Sequence, residues 1–394
     1  MIDRLNEDVT PAQMRASEAT LRKFGLIDNA FRLRPFTISL LTEQIAGYYD
    51  PRAGEFYIAD WIDIEGQKLV MSHELTHALQ DQYFNLRRFE KWSKGDSDAQ
   101  LAAQALIEGD ATLLMGFYMT QNPRRALNIF KSMLATGVNT KQIDKAPKPL
   151  RASLLFPYDQ GREWAQALYD QGGWDALSKA YQNLPQSTEQ ILHIDKYLAR
   201  EQPEKINLPD IAKLLGANWR RIDADVNGEW GYYLILNQFI GEDDSKRAAA
   251  GWSGDRYALY EQKATNRVFL IHVSTWDSDD EALEFVEAYA KRTVARYEIR
   301  PQATLSVGTK FSAQTSQGEV HIERQGRRVL IVEARWASER DQGSERATRR
   351  FLDLSVILCV ILSVSLCGSS RCELTTENHR VEDAEAHREE KKNS

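Results

Sequence analysis

The stretch Met71-Ser72-His73-Glu74-Leu75-Thr76-His77-Ala78-Leu79-Gln80-Asp81 decides how the rest of the chain is read. Met71, Leu75, Ala78 and Leu79 recur at helical spacing and form one apolar stripe, so the segment is expected to be a helix. His73 and His77 are four residues apart and stack on one face of that helix, roughly opposite Leu75. Two imidazoles so placed can share one Zn²⁺, and Glu74, one residue round, reaches a water held in front of them. The metal lowers the pKa of that water, and the carboxylate takes its proton as the water attacks a carbonyl. His is scarce, seven in 394 residues, so H-E-x-x-H arises here by chance with a probability on the order of one in a hundred. The competing reading is an ordinary amphipathic helix with two exposed His.

Zinc needs a third protein ligand, and a carboxylate on a nearby helix is one source. Ala102-Ala103-Gln104-Ala105-Leu106-Ile107-Glu108-Gly109-Asp110-Ala111 is a second helical pattern. Glu108 sits there among Ala105, Leu106 and Ile107, where a charge is costly unless it is paired or bound to metal. Gly109 weakens the helix but lets another backbone approach closely. The metzincin arrangement is excluded, because residues 80–84 offer neither the Gly nor the third His it requires.

These residues resemble the gluzincin zinc metallopeptidases, the thermolysin-like group, which carry H-E-x-x-H on one helix and a ligand Glu on the next. The resemblance implies His73, His77 and Glu108 as zinc ligands and Glu74 as catalytic base. Residues 41–86 and Glu108-Gly109-Asp110-Ala111 look similar to a bacterial branch of that group. So do Phe156-Pro157-Tyr158 and Ser187-Thr188-Glu189-Gln190-Ile191-Leu192-His193, and the likeness runs over about residues 41–336. Gluzincins use a Tyr or His beyond the third ligand to stabilise the oxyanion, which makes Tyr158 and His193 the two candidates here. In one departure, thermolysin has an Asp four residues after its ligand Glu, whereas this chain has Thr112. Asp110, two residues on, is expected to face elsewhere. Asp81, one turn beyond His77, and Asp110 are both candidates for orienting a ligand imidazole.

Composition sets the frame. The 394 residues suffice for a sizeable core and two domains, with 42% hydrophobic and 27% charged residues. A net charge of −7 with no dominant basic stripe argues against a nucleic-acid surface. Cys359, Cys367 and Cys372 all lie in the last tenth of the chain, so the fold is expected to use no disulfide and no thiolate zinc site. Met1-Ile2-Asp3-Arg4-Leu5-Asn6-Glu7 has no apolar core, so no signal peptide is expected in this chain. Extracytoplasmic placement stays open should the natural chain begin upstream, and cytoplasmic placement otherwise.

The fold expected is α+β: a mainly helical, zincin-like catalytic domain over residues 1–245 with a small N-terminal sheet, then a small α+β domain over 246–337. Residues 1–34 read as one or two amphipathic helices. Residues 37–49 and 55–60 read as strands about the turn Asp50-Pro51-Arg52-Ala53-Gly54, with 56–59 as a candidate edge for an extended peptide. Ser97 and Gln100 form a capping-box pattern that starts the Glu108 helix. Residues 122–137 are expected to be helical, 141–149 a polar loop, 158–171 and 174–182 helices divided by Gly172-Gly173. Residues 206–215 and 228–240 should complete the catalytic domain. Strands at 254–261, 267–276, 318–324 and 328–334 and a helix at 279–295 follow. Beyond residue 338 an apolar run at 354–366 is too short to span a bilayer, and 373–394, charged and poor in aromatics, are expected to be disordered. A marginal anchor, a buried helix and sequence foreign to the folded protein are the three readings of that tail.

The sequence thus points to a metallopeptidase with one Zn²⁺ per chain acting on peptide or protein substrates. Its rivals are a zinc-fold scaffold without catalysis and a zinc hydrolase of a non-peptide amide. Membrane association, substrate preference and oligomeric state stay open.

Overall fold

The first helix, α1 (Pro11–Phe24), opens on a reciprocal cap between Thr10 and Gln13 and closes at Gly25, whose φ of 81° suits only glycine well. It belongs to a computed structural model that describes residues 9–43, 46–60, 62–92, 95–121, 141–263, 265, 267–299 and 309–334. All fall within one compact unit, Met1–Ala337. The helix expected at 122–137, the apolar run and the three Cys lie outside the described residues.

The chain is α+β. After α1 come α2 (Leu33–Glu43), the hairpin β1 (Gly47–Asp50) and β2 (Glu55–Ile58), then the long helices α3 (Ile64–Phe84) and α4 (Ser97–Thr120). A 3₁₀ turn at Leu86–Lys91 joins the two. Next are α5 (Lys141–Lys145), α6 (Lys148–Ala180), α7 (Thr188–Leu192), α8 (Ile194–Leu198) and α9 (Ala212–Leu215). The remainder is β3 (Trp219–Asp225), α10 (Gly228–Asn237), α11 (Glu242–Ala249), β4 (Trp252–Gln262), β5 (Arg267–Trp276), α12 (Asp279–Arg296), β6 (Lys310–Thr315), β7 (Gly318–Gln325) and β8 (Arg328–Ala334). Strands β3 to β8 make one antiparallel sheet in the order β3-β4-β5-β8-β7-β6. No described helix is long and apolar enough to cross a membrane.

Two cores hold the fold. One gathers Phe156, Trp164, Leu168 and Tyr181 with Ala102, Ala105 and Leu106 between α4 and α6. The other packs Tyr232, Phe285, Tyr289 and Trp276 with Leu270 and Ile331 of the sheet. α1 is tied to this second core. Arg296 donates to the carbonyls of Lys23 (2.7 Å) and Arg22 (3.0 Å), and Arg292 donates to that of Phe24. These guanidiniums satisfy the last carbonyls of α1 and complement its negative end. Beneath them, fully buried Glu333 of β8 accepts from Arg292 (3.0 Å) and Tyr289 (2.7 Å) and lies 3.5 Å from Lys23.

Several expectations are corrected. The strand foreseen over 37–49 is helix as far as Glu43, and only Gly47–Asp50 is extended. Pro35 stands in the first turn of α2, where the missing N–H costs nothing. The loop foreseen at 141–149 is likewise mostly helical, with Pro149 in the first turn of α6. The helix foreseen at 206–215 reduces to Ala212–Leu215, since Pro209 interrupts it and the Ile211 N–H donates to the Tyr260 hydroxyl. β3 and β6 lie outside the expected strands. β3 also places the start of the sheet before residue 246, because it pairs with β4 across the charged segment at 241–247.

Candidate metal centre

The geometry starts with how α3 and α4 are held. Asp63 caps α3 by accepting from Glu65 and Gly66 N–H, and Asp96, rather than Ser97, caps α4 by accepting from Ala99 N–H. The Ser97 hydroxyl is committed to Asp225 instead. The buried side of α3 is its polar side: Glu74, Thr76, His77 and Gln80 are buried. The apolar stripe read from the sequence is turned outward, with Met71 36%, Leu75 42% and Leu79 50% exposed. His77 and Gln80 have hydrogen-bond partners on α4, Thr76 donates to the Ser72 carbonyl and Glu74 accepts from the Tyr49 N–H, which is why that face can be buried. α4 in turn crosses α6 at Gly109 and Gly161, where the backbones touch so closely that a Cβ at either glycine would overlap the other helix.

This crossing brings His73 and His77 of α3 against Glu108 of α4. Nε2 of His73 lies 3.0 Å from Nε2 of His77, and Oε2 of Glu108 lies 3.1 Å and 3.4 Å from the two nitrogens. The imidazole planes stand at 88°. Tetrahedral zinc with ligand distances near 2.0–2.1 Å separates its ligand atoms by about 3.3 Å, so the donor set and its spacing fit that ion. Burial opposes charge on His77, but the Glu108 carboxylate outweighs it and holds the imidazole at about 9. Burial likewise opposes charge on Glu108, and the hydrogen bonds from both His carry it down to about 2.

Glu74 lies beside this set, 6% exposed. Burial raises its carboxyl above the usual range, against the pull of His77 and His73, and the Tyr49 backbone N–H donates to it. The hairpin is pressed on α3 at this point. A Cβ on Gly47 would meet the side chains of Val70 and Glu74, and the Tyr49 hydroxyl donates to Asp81 at 2.9 Å. Tyr158 of α6 stacks on His73 with ring centroids 6.2 Å apart. The residue is 39% exposed overall, but desolvation of its hydroxyl, then the Glu108 and Glu74 charges, push its phenol far up, so it keeps its proton as a donor.

The other expected residues fall elsewhere. His193, between α7 and α8, pairs with Glu229 at 2.9 Å, and that hydrogen bond raises its pKa; among the described contacts none joins it to His73, His77 or Glu108. Asp81 does not touch His77, because its two oxygens accept from the Tyr49 hydroxyl and the Leu86 N–H. Gln80 contacts His77 instead, and Asp110 contacts Gln80 and Tyr181. Gln80, Tyr49 and Tyr181 escaped the sequence reading, although Gln80 lies one turn beyond His77 and that spacing is a readable signal. A second group, Glu189, Glu201 and Asp277, has its centre filled by Lys196 Nζ at 2.6, 3.3 and 2.5 Å, so it is an ion-pair cluster.

Residues 215–343, which carry the large sheet, match a family model described as a domain of unknown function, DUF8575. No curated protein and no solved structure matches the chain.

Proposed function

We propose that the chain is a zinc-dependent metallopeptidase of gluzincin type with a zincin-like arrangement of α3 and α4. The observation that carries this reading is the convergence of Nε2 of His73, Nε2 of His77 and Oε2 of Glu108 to mutual distances of 3.0–3.4 Å beside a buried Glu74. A zinc ion held there supplies a Lewis acid that polarises a carbonyl and acidifies water. Glu74 accepts the proton of the attacking water and passes it to the leaving amine nitrogen. The Tyr158 hydroxyl donates a hydrogen bond to the carbonyl oxygen as it gains charge. The hairpin offers an open strand edge next to the site, to which an extended peptide can add.

The test uses the full chain with zinc on a complex peptide mixture, products being read by mass spectrometry with and without chelator. Glu74→Gln is expected to keep one zinc and lose about 10²–10⁴-fold in turnover. Glu108→Ala is expected to lose zinc affinity, and full zinc occupancy in that variant would sink the ligand assignment. Chelator-sensitive hydrolysis of a non-peptide amide without peptide cleavage would move the reading to that substrate class.

A further inference from the structure

We propose that Gln80 fixes the tautomer and ring angle of His77, and that Asp110, Ile107 and Tyr181 lock Gln80 in the one orientation that does so. The inference rests on the metal-centre reading above and names what makes one of its ligands ready to bind.

The two ends of a glutamine amide are told apart by their partners. One end of Gln80 lies 2.9 Å from Asp110 Oδ2 and 3.1 Å from the Ile107 carbonyl oxygen. That carbonyl only accepts, and the same Asp110 oxygen already accepts the Tyr181 hydroxyl at 2.8 Å. The amide end facing them is therefore the NH₂. The other end, Oε1, is an acceptor only, and it lies 2.9 Å from Nδ1 of His77. Nδ1 must then carry the proton. In a neutral imidazole the lone pair is left on Nε2, the nitrogen that points at His73 and Glu108. Turning the amide over would set NH₂ against Nδ1–H and oxygen against two acceptors.

The lock is rigid because it is dry. Gln80 is 3% exposed, Asp110 8% and Tyr181 1%. The Tyr181 ring stacks face to face on Phe84, one turn along α3 from Gln80, at 4.1 Å. The two ligand imidazoles are thereby made unequal, since Nδ1 of His73 has no hydrogen-bond partner among the described residues. Thr112, standing where thermolysin has its Asp, also leaves its hydroxyl without one. The carboxylate that acts here is Asp110, and it reaches His77 through the Gln80 amide.

The experiment measures zinc affinity by chelator competition and the imidazole N–H resonances of the ¹⁵N-labelled, zinc-loaded protein. It compares the parent with Gln80→Met, Asp110→Asn and His77→Ala. The parent should show a slowly exchanging Nδ1–H that is absent in His77→Ala. Gln80→Met should lose that resonance and bind zinc about 10–100-fold more weakly. Gln80→Ala, which adds no atom to the core, carries the same expectation where the Met variant does not fold. Asp110→Asn retains an acceptor oxygen for both donors and should keep the resonance and the parental affinity. Parental affinity together with a persistent Nδ1–H in the Gln80 variants overturns the inference and leaves the metal centre standing. A parent that binds no zinc, or zinc binding that survives His77→Ala, removes the metal centre and this inference together.

Discussion

Tyr158 and His193 are equal candidates by residue type, and packing separates them. Tyr158 stacks on His73 with its proton held on, whereas His193 is engaged with Glu229. Tyr158→Phe is therefore expected to lower kcat by about 10²–10³-fold with zinc content unchanged, while His193→Ala stays near the parent. Steady-state kinetics with metal analysis decides, and the larger fall in the His193 variant would transfer the role. His73, Glu74, His77 and Glu108 are legible in the sequence because their significance lies in spacing and in the cost of a charge among apolar neighbours. The spacing of Gln80 from His77 is legible too, but its role is not, because an amide gains meaning only once its three partners are in place.

Helical periodicity locates α3 and α4 but does not say which side of α3 is covered. An apolar stripe marks a face, and in α3 the covered face is the one with polar partners on α4. Prolines mislead in the same way. Pro149 closes a stretch read as loop and Pro35 precedes one read as strand, yet both stand in first turns, where helices tolerate them. Gly109 reads as a place of close approach, and the structure supplies its partner, Gly161. A methyl group on Gly161 would strike the Ala105 carbonyl, so Gly161→Ala should cost about 1–3 kcal/mol or more. It should also depress activity, because Glu108 and Tyr158 lie within three residues of the contact. Gly116→Ala on the same α4 has open space around it and should instead gain about 0.5–1 kcal/mol. Denaturant unfolding of the two variants checks the contrast, and equal shifts would refute the close-packing argument.

For the molecule as a whole, α+β architecture can be read from the change of periodicity beyond residue 250, but the extent of the sheet cannot. β3 and β6 are polar or half-exposed strands that find their place only by pairing with neighbours. The Glu333 cluster is equally hidden, since Lys23 comes from the first helix while Tyr289 and Arg292 lie 44 and 41 residues before Glu333. Burial alone would raise the Glu333 carboxyl, but Arg292, Lys23 and Arg296 outweigh it and hold the group far below its ordinary 4.5. A depressed pKa stabilises the fold fully above the unfolded value. That contribution fades as the pH falls from about 4.5 toward the folded value. Glu333→Gln leaves buried cations unpaired and should cost about 3–5 kcal/mol at neutral pH, with a shallower loss of stability on acidification than the parent. Parallel stability–pH curves would show that the cluster does not act this way.

The grip of Arg292 and Arg296 on the end of α1, with Lys23 set beside Glu333 on the last strand, joins the two ends of the described chain. The path is closed on itself, much as a ring is. A single nick between α10 and α11 would therefore open the loop without releasing a piece, and parting α3 and α4 from the sheet takes two cuts.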